Sequence, residues 1–253
     1  MLLKSLRALL QFTTILPLGK PAEFSWFARR SWLYPIAGYV TGGIAGLSAF
    51  WIGSPLLAAG VVIGVLLLVT GANHFDGLLD LGDGLMAHGD REKRIRALTD
   101  RQTGAGGIAM ATGITLIAFA ALAESPVIWA TVIAAEVCAK FSMAFLTAYG
   151  TPFREGMHSF LNREARPWFP AAAALLCLPL LFLPLSAMRL AGAAAVMVIT
   201  PLILLAISRR AFGGINGDVV GASNEITRAL VLAVLIILPP GHTFLAEAAC
   251  NLF

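Results

Sequence analysis

Residues 73–107 read NHFDGLLDLGDGLMAHGDREKRIRALTDRQTGAGG, and the rest of the chain is understood from this stretch. It follows an apolar run and sets acids, then bases, then glycines in order. Asp76, Asp80 and Asp83 stand at i, i+4 and i+7, so a helix carries all three carboxylates on one face. At about 1.5 Å per residue they span about 10 Å of axis. Three like charges this close repel one another, and near a bilayer charge is costly. A counter-charge is expected, and oxygen-only ligands suit a hard divalent cation such as Mg²⁺. The competing reading is a solvated acidic helix end.

Downstream, Arg91 and Arg94 are spaced i, i+3 and can face the same pocket to grip phosphate oxygens. Their neighbours Lys93 and Arg96 read as ordinary cytoplasmic loop charge. Asp100 precedes TGAGG, a glycine-rich turn that opens the next helix. Backbone amides at a helix N-terminus form an anion site, and Gly104, Gly106 and Gly107 let a phosphate approach the chain closely. The turn closes the loop that the acidic face opens.

Composition places the whole chain in a membrane. Of 253 residues, 58% are hydrophobic and 13% charged, and the mean hydropathy is +0.82, far from a soluble globule. The net charge of +4 reflects cytoplasmic loops and gives no reason to expect a nucleic-acid partner. Cys138, Cys177 and Cys250 lie in apolar runs without CxxC spacing and read as small core or lipid-facing residues. Leu2 to Phe12 lacks the flanks and small-residue site of a cleavable signal, and reads as an amphipathic helix on the membrane surface.

The expected fold is an all-α integral membrane protein, one polytopic domain over 1–253. An interfacial segment (1–31) precedes a bundle (32–253) of about seven spanning helices, or six if the short last one does not cross. The candidate spans are 32–52, 55–83, 107–123, 126–149, 168–185, 190–208 and 226–238, joined by cytoplasmic loops at 84–106, 150–167 and 209–225. Lys and Arg crowd those loops and the N-terminal segment, while the opposite loops hold only Arg189. The N-terminus and the polar loops are therefore expected in the cytoplasm and the C-terminus outside. Thr41, Gly42, Gly43, Gly46 and Ser48 give the first span a small face that suits close packing and permits a homo-oligomer.

Two further loops are polar. The first carries PFREG (Pro152 to Gly156), with Arg154 as a phosphate-binding candidate, and His158, expected on a solvated surface. The second contains GGINGDVVGASNE, where Asp218 either reaches a metal or ribose hydroxyl or caps the next helix. Glu136 and Lys140, i and i+4 within a span, read as an ion pair, structural for Glu136 and free to reach a substrate phosphate for Lys140. His74 stands about 200° from Asp76 on a helix, off the acidic stripe, and suits packing or a hydrogen bond. His88 and His242 receive no role. No GxSxG, HExxH, Walker A or GxGxxG motif occurs. Carboxylates for a cation, with arginines and glycine amides for phosphate, describe phosphoryl or nucleotidyl transfer.

At these residues the chain resembles the cobalamin (5′-phosphate) synthase, or adenosylcobinamide-GDP ribazoletransferase, family. FTTILP (Phe12 to Pro17), YPIAGYVTG (Tyr34 to Gly42), HFDGLLDLGDGL (His74 to Leu85), FREG (Phe153 to Gly156) and GGINGDVVGA (Gly213 to Ala222) are similar to its blocks, in the same order. The resemblance implies a Mg²⁺-dependent transferase at the cytoplasmic face of the cell membrane. It would join adenosylcobinamide-GDP to α-ribazole, or its 5′-phosphate, and release GMP, a late step of cobalamin (vitamin B12) synthesis. Asp76, Asp80 and Asp83 would hold the metal, Asp100 or one of the three would take the proton, and Arg91, Arg94, Lys140 and the Gly104–Gly107 turn would hold phosphate. The family often has serine where Arg101 stands, arginine at Lys140 and glutamate at Arg228; lysine keeps the charge but loses the bidentate grip.

Asp80, Asp83 and Gly84 also fit the DxxDG core of CDP-alcohol phosphotransferases, but His88 stands where their arginine would be and their GxxxDxxxD is not seen. A lipid enzyme of that kind is one alternative. A cation-coupled transporter is another, against which stand the one-sided carboxylates and the lack of a broken-helix pair in matching halves of the sequence.

Overall fold

The computed structural model describes residues 1–242, which places Cys250 and the expected external C-terminus outside the described residues. In chain order the helices are α1 (Leu2–Thr13), α2 (Ser25–Ala28), α3 (Tyr34–Ser48), α4 (Pro55–Val69), α5 (Asn73–Met86), α6 (Arg91–Leu98), α7 (Ala105–Ala123), α8 (Ile128–Tyr149), α9 (Met157–Glu164), α10 (Phe169–Cys177), α11 (Ala187–Phe212) and α12 (Gly217–Ile237). Short 3₁₀ turns precede α3 and follow α10. Among the described residues the one β feature is an isolated bridge between Pro152 and Ile215.

Four helices, α7, α8, α11 and α12, are long and apolar enough to cross a membrane, and six spans result if each of two bent helix pairs counts as one. This multi-pass helical architecture agrees with the expected class, and its upper count of six is the smaller of the two numbers expected. The difference from seven lies partly in α3: its 15 residues rise about 22 Å, short of a hydrocarbon core of about 30 Å. Leu56, Leu57, Ile108, Leu116, Ile199, Leu202 and Ile203 are exposed apolar side chains on these outer helices, as lipid-facing positions are.

The expected second span, 55–83, is not one helix. It breaks into α4 and α5, bent by 94°. Gly71 is left-handed (φ +61°) and so is Ala72 (φ +55°). The Gly71 N–H donates to the Leu68 carbonyl (3.0 Å) and the Ala72 N–H to the Leu67 carbonyl (2.8 Å). This is the 5→2 and 6→1 pair that closes a helix at glycine. A second pair, α9 with α10 and its 3₁₀ extension, bends by 93°. Two bent pairs are therefore present that the sequence did not show.

The expected loops are also partly helical. α6 occupies the first and α9 the second. The third shrinks to residues 213–216, because Asn216 caps α12 by accepting from the Val219 N–H (3.1 Å). Asp218 sits in the first turn of that helix and does not cap it. Residues 151–153 and 215 are tied by Ile215 N–H to Thr151 O (2.9 Å) and Phe153 N–H to Ile215 O (3.3 Å).

α8 forms the centre: 78% of its most apolar stretch is buried, against 28% for α7 at the rim. α3 and α12 pack against it most extensively. A Cβ at Gly38, Gly42 or Gly46 of α3 would lie 2.7 Å from Glu136 O, 2.8 Å from the Ile133 Cα and 3.0 Å from the Trp129 Cα. The small face expected on this segment is thus taken up inside the bundle, while Gly43 faces open space. Cys138 and Cys177 are buried free thiols.

α5 lies against α12 and α7. A Cβ on Gly77 would lie 2.6 Å from the Asp218 carbonyl oxygen, and one on Gly82 would lie 2.8 Å from Gly106 O. Both obstacles are backbone, so neither helix can yield by turning a side chain. Gly77→Ala is therefore expected to destabilise the protein by about 1–3 kcal/mol. Gly43→Ala, in open space, should be neutral or slightly stabilising. Thermal unfolding of the two variants in detergent checks the contrast; equal transitions would contradict the α5–α12 contact.

Candidate active site

Glycine contact brings the carboxylates of two helices to one place. Asp76 and Asp80, one turn apart on α5, line a polar cavity of about 330 Å³ together with Asp218 of α12. Thr99, Asp100, Arg101 and Thr103, from the segment between α6 and α7, and Arg154, from the loop before α9, complete its wall. Arg154 pairs with Asp218 at 3.6 Å, and the Asn216 amide also donates to the Asp218 carboxylate. The Asp100 carboxylate accepts from the Gln102 N–H (3.1 Å), which shapes the turn. Four carboxylates thus face two guanidiniums.

The third aspartate of the stripe is placed differently. Asp83 accepts from the Gly104 N–H at 2.7 Å and the Gly107 N–H at 2.8 Å. The amides expected to receive phosphate are bonded to a carboxylate of the chain itself, and Asp83 does not line the cavity. A carboxylate at a helix N-terminus is favoured there by the exposed N–H groups and the helix dipole. An ionised carboxylate has about four acceptor positions, so two remain on Asp83. Gly106 packs its backbone against α5.

Arg91 and Arg94 lie away from the cavity. The Arg91 guanidinium packs beside Gly213 at the end of α11, within 3.0 Å of where a Cβ would stand. Arg94 donates to the Leu85 carbonyl (2.9 Å), satisfying the C-terminus of α5. Arg94 thus braces the α5–α6 corner, and Arg91 sits between α6 and the end of α11. Arg101, noted in the sequence only as loop charge and as a departure, lines the cavity instead. Its place after Asp100, on the approach to the glycine turn, was the available signal.

Lys140 is fully buried and lines neither this cavity nor the larger one below. It donates to Asn224 Oδ1 (2.8 Å) and lies 3.8 Å from Glu136. Glu136 accepts from Thr41 (2.6 Å) and from Arg228 (3.1 Å). Arg228 also pairs with Glu225, which accepts from the Asn224 amide (3.1 Å). Two acids and two bases balance at the contact of α3, α8 and α12. Arg228, expected among the cytoplasmic charges around the start of the last span, is therefore a core residue at 5% exposure. Its i, i+3 spacing from Glu225 was the signal, hidden by placing the helix start too late.

A second cavity, of about 550 Å³, adjoins the first through the shared Arg154 and Asp218. Phe12 of α1, Tyr34 of α3, His74 of α5, Met143 of α8, Leu161 of α9 and Asn216 are among its lining. His158 belongs to it too. Expected on a solvated surface, it is 4% exposed, and its Nε2–H donates to the Gly150 carbonyl (2.9 Å). The i, i+3 pairing of His158 with Leu161 on one face of α9 foreshadowed that burial.

Among the described residues no three His, Cys, Asp or Glu side chains already converge to hold a metal. The donor set nevertheless fits Mg²⁺, which binds through one or two carboxylates and completes its shell with water and substrate phosphate.

The chain matches a family model described as Cobalamin-5-phosphate synthase over residues 5–236. It is 38% identical to an adenosylcobinamide-GDP ribazoletransferase of Halorubrum lacusprofundi, covering 92% of this chain and 96% of the relative. It is 35% identical to proteins of the same name from Methanocella arvoryzae (92% and 96% covered) and Pyrobaculum islandicum (92% and 95%). No solved structure matches the chain.

Removing one charge from the buried group tests its balance. Glu136→Gln leaves Lys140 and Arg228 facing Glu225 alone, and should destabilise by about 3–5 kcal/mol. Adding Lys140→Met should restore part of that loss, as a coupled pair does. Unfolding of the two variants and the wild type in detergent checks it; additive losses would show that the charges act independently.

Proposed function

The chain belongs to the Cobalamin-5-phosphate synthase family, and we propose from that footing that it is an adenosylcobinamide-GDP ribazoletransferase. It would join adenosylcobinamide-GDP to α-ribazole or its 5′-phosphate and release GMP at the cytoplasmic face of the cell membrane. The observation that carries the reading is the polar cavity ringed by Asp76, Asp80, Asp100 and Asp218 with Arg101 and Arg154. Carboxylates outnumber guanidiniums there, so a pyrophosphate enters only with cations beside it.

Asp76 and Asp80 are the proposed Mg²⁺ ligands, with Asp218 the third carboxylate of the same cavity and Asp83 holding the adjoining turn in place. When bound, the cation neutralises charge on the anhydride and polarises its phosphorus. Arg154 and Arg101 hold phosphate oxygens by charge-assisted hydrogen bonds. The ribazole 3′-hydroxyl forms the new O–P bond at the cobinamide-side phosphorus, in line with the anhydride oxygen. The bond to GMP breaks, GMP carries away the electron pair, and a carboxylate, Asp100 or one of the α5 acids, takes the hydroxyl proton. Lys140, Arg91 and Arg94 act at one remove from the phosphates, by holding α12, the contact of α6 with the end of α11, and the α5–α6 corner respectively.

The test is GMP release by the purified protein in liposomes, with both substrates supplied. Release is expected to need Mg²⁺ and to stop with EDTA. Asp76→Asn and Asp80→Asn should each lower kcat on the order of 10²-fold or more. Normal turnover by both folded variants, or by metal-stripped enzyme, would sink the metal assignment.

A further inference from the structure

The 550 Å³ cavity is lined by two histidines that are nearly inaccessible, His74 at 5% and His158 at 4% exposure. Each has a buried ring nitrogen with no hydrogen-bond partner among the described residues: Nε2 of His74 and Nδ1 of His158. Unsatisfied polar atoms in a buried wall are costly, and a native site meets that cost with a ligand or a function. For His158 the missing partner can be specified. Its Nε2 faces the Gly150 carbonyl at 2.9 Å, and a carbonyl only accepts, so Nε2 carries the proton. In the neutral ring Nδ1 is then a bare acceptor, and its partner must be an O–H or N–H donor. Among the described residues no side-chain hydrogen bond fixes the His74 tautomer, so its Nε2 is free to donate to a heterocycle nitrogen.

The rest of the lining is apolar and aromatic at one side and polar at the other. Phe12, Tyr34, Met143 and Leu161 form the apolar part, and Arg154 and Asp218 stand where the cavity meets the carboxylate cavity. Its volume lies in the range that encloses one small ligand. A corrin macrocycle with its side chains exceeds it. Guanine presents two adjacent N–H donors and wants a free carboxylate opposite them. Both carboxylates in this lining are already engaged: Glu155 with Arg163 (2.8 Å) and Ser159 (3.0 Å), and Asp218 with Arg154 (3.6 Å) and the Asn216 amide.

Resting on the reaction proposed above, we infer that this cavity is the pocket of the acceptor nucleoside. The apolar bicyclic base of α-ribazole lies among Phe12, Tyr34 and Met143, with His74 at its free ring nitrogen. A ribose hydroxyl donates to His158 Nδ1, which lies just behind the cavity wall and is reached by a small turn of the ring, and the 3′-hydroxyl projects past Arg154 and Asp218 into the carboxylate cavity. His158 is thus a substrate-binding residue that reads the sugar. The cavity also explains the placement of α1, whose Gln11 and Phe12 close its wall.

The experiment uses the full-length protein in liposomes with Mg²⁺. Steady-state GMP release is titrated with α-ribazole and, separately, with adenosylcobinamide-GDP. Wild type and His158→Ala are compared, and wild type is also given 2′-deoxy- and 5′-deoxy-α-ribazole, which require no change to the protein. His158→Ala is expected to raise the KM for α-ribazole about 10-fold and leave that for adenosylcobinamide-GDP unchanged. One deoxy analogue should show a similar rise with wild type and should equal the parent nucleoside with His158→Ala. An unchanged ribazole KM in the variant, no penalty for either analogue, or a weakening of GMP inhibition instead would overturn the pocket and leave the reaction standing. Calorimetric binding of α-ribazole that needs His158, in a protein that releases no GMP, would uphold the pocket and sink the reaction.

Discussion

Everything at this site depends on how closely three helix backbones approach. α5 meets α12 at Gly77 and α7 at Gly82, with carbonyl oxygens of the partner helices occupying the space that a methyl group would need. In lipid, water expulsion does little to hold helices together, and contact area and backbone proximity do most of it. The same proximity sets the chemistry. Asp76 and Asp80 can share a cavity with Asp218 only because the helices carrying them touch without side chains between them. The glycines of the DGLLDLGDG run are therefore as much a part of the acidic cavity as its acids.

Beneath the cavity, the balanced group of Glu136, Lys140, Glu225 and Arg228 performs a different task. Charges buried at a helix contact are stable only in one arrangement of partners, so they specify register where apolar surfaces would tolerate sliding. α12 carries two of these charges and also Asp218. Its axial position is thus tied to α8 before any substrate arrives, and Asp218 with it.

The sequence made the class, the acidic face and the glycine turn legible, because each rests on local spacing. Asp76, Asp80 and Asp218 needed only helical periodicity and the neighbouring glycines to stand out. What stayed hidden was relational. The break between α4 and α5 depends on two consecutive left-handed residues, of which Gly71 is suggestive and Ala72 gives no sign. Hydropathy averages across such a break and sees one long helix. The start of α12 was obscured because Gly217 and Gly221 look like loop, although Asn216 caps a helix there. That error moved Arg228 from core to surface on paper. Arg91 meets Gly213 and Lys140 meets Asn224, both far along the chain, and Arg94 turns back to a backbone carbonyl at Leu85; spacing rules reach none of these contacts.

The bonds from Gly104 and Gly107 to Asp83 have a consequence for selectivity. The turn already holds an anion, and that anion is covalently part of the protein. A tethered ligand acts at an effective concentration on the order of mM or more, so a free inorganic anion gains little by competing for those amides. The turn is also ordered during folding, so its shape does not wait for substrate. A turn filled from within in this way is closed to small free anions.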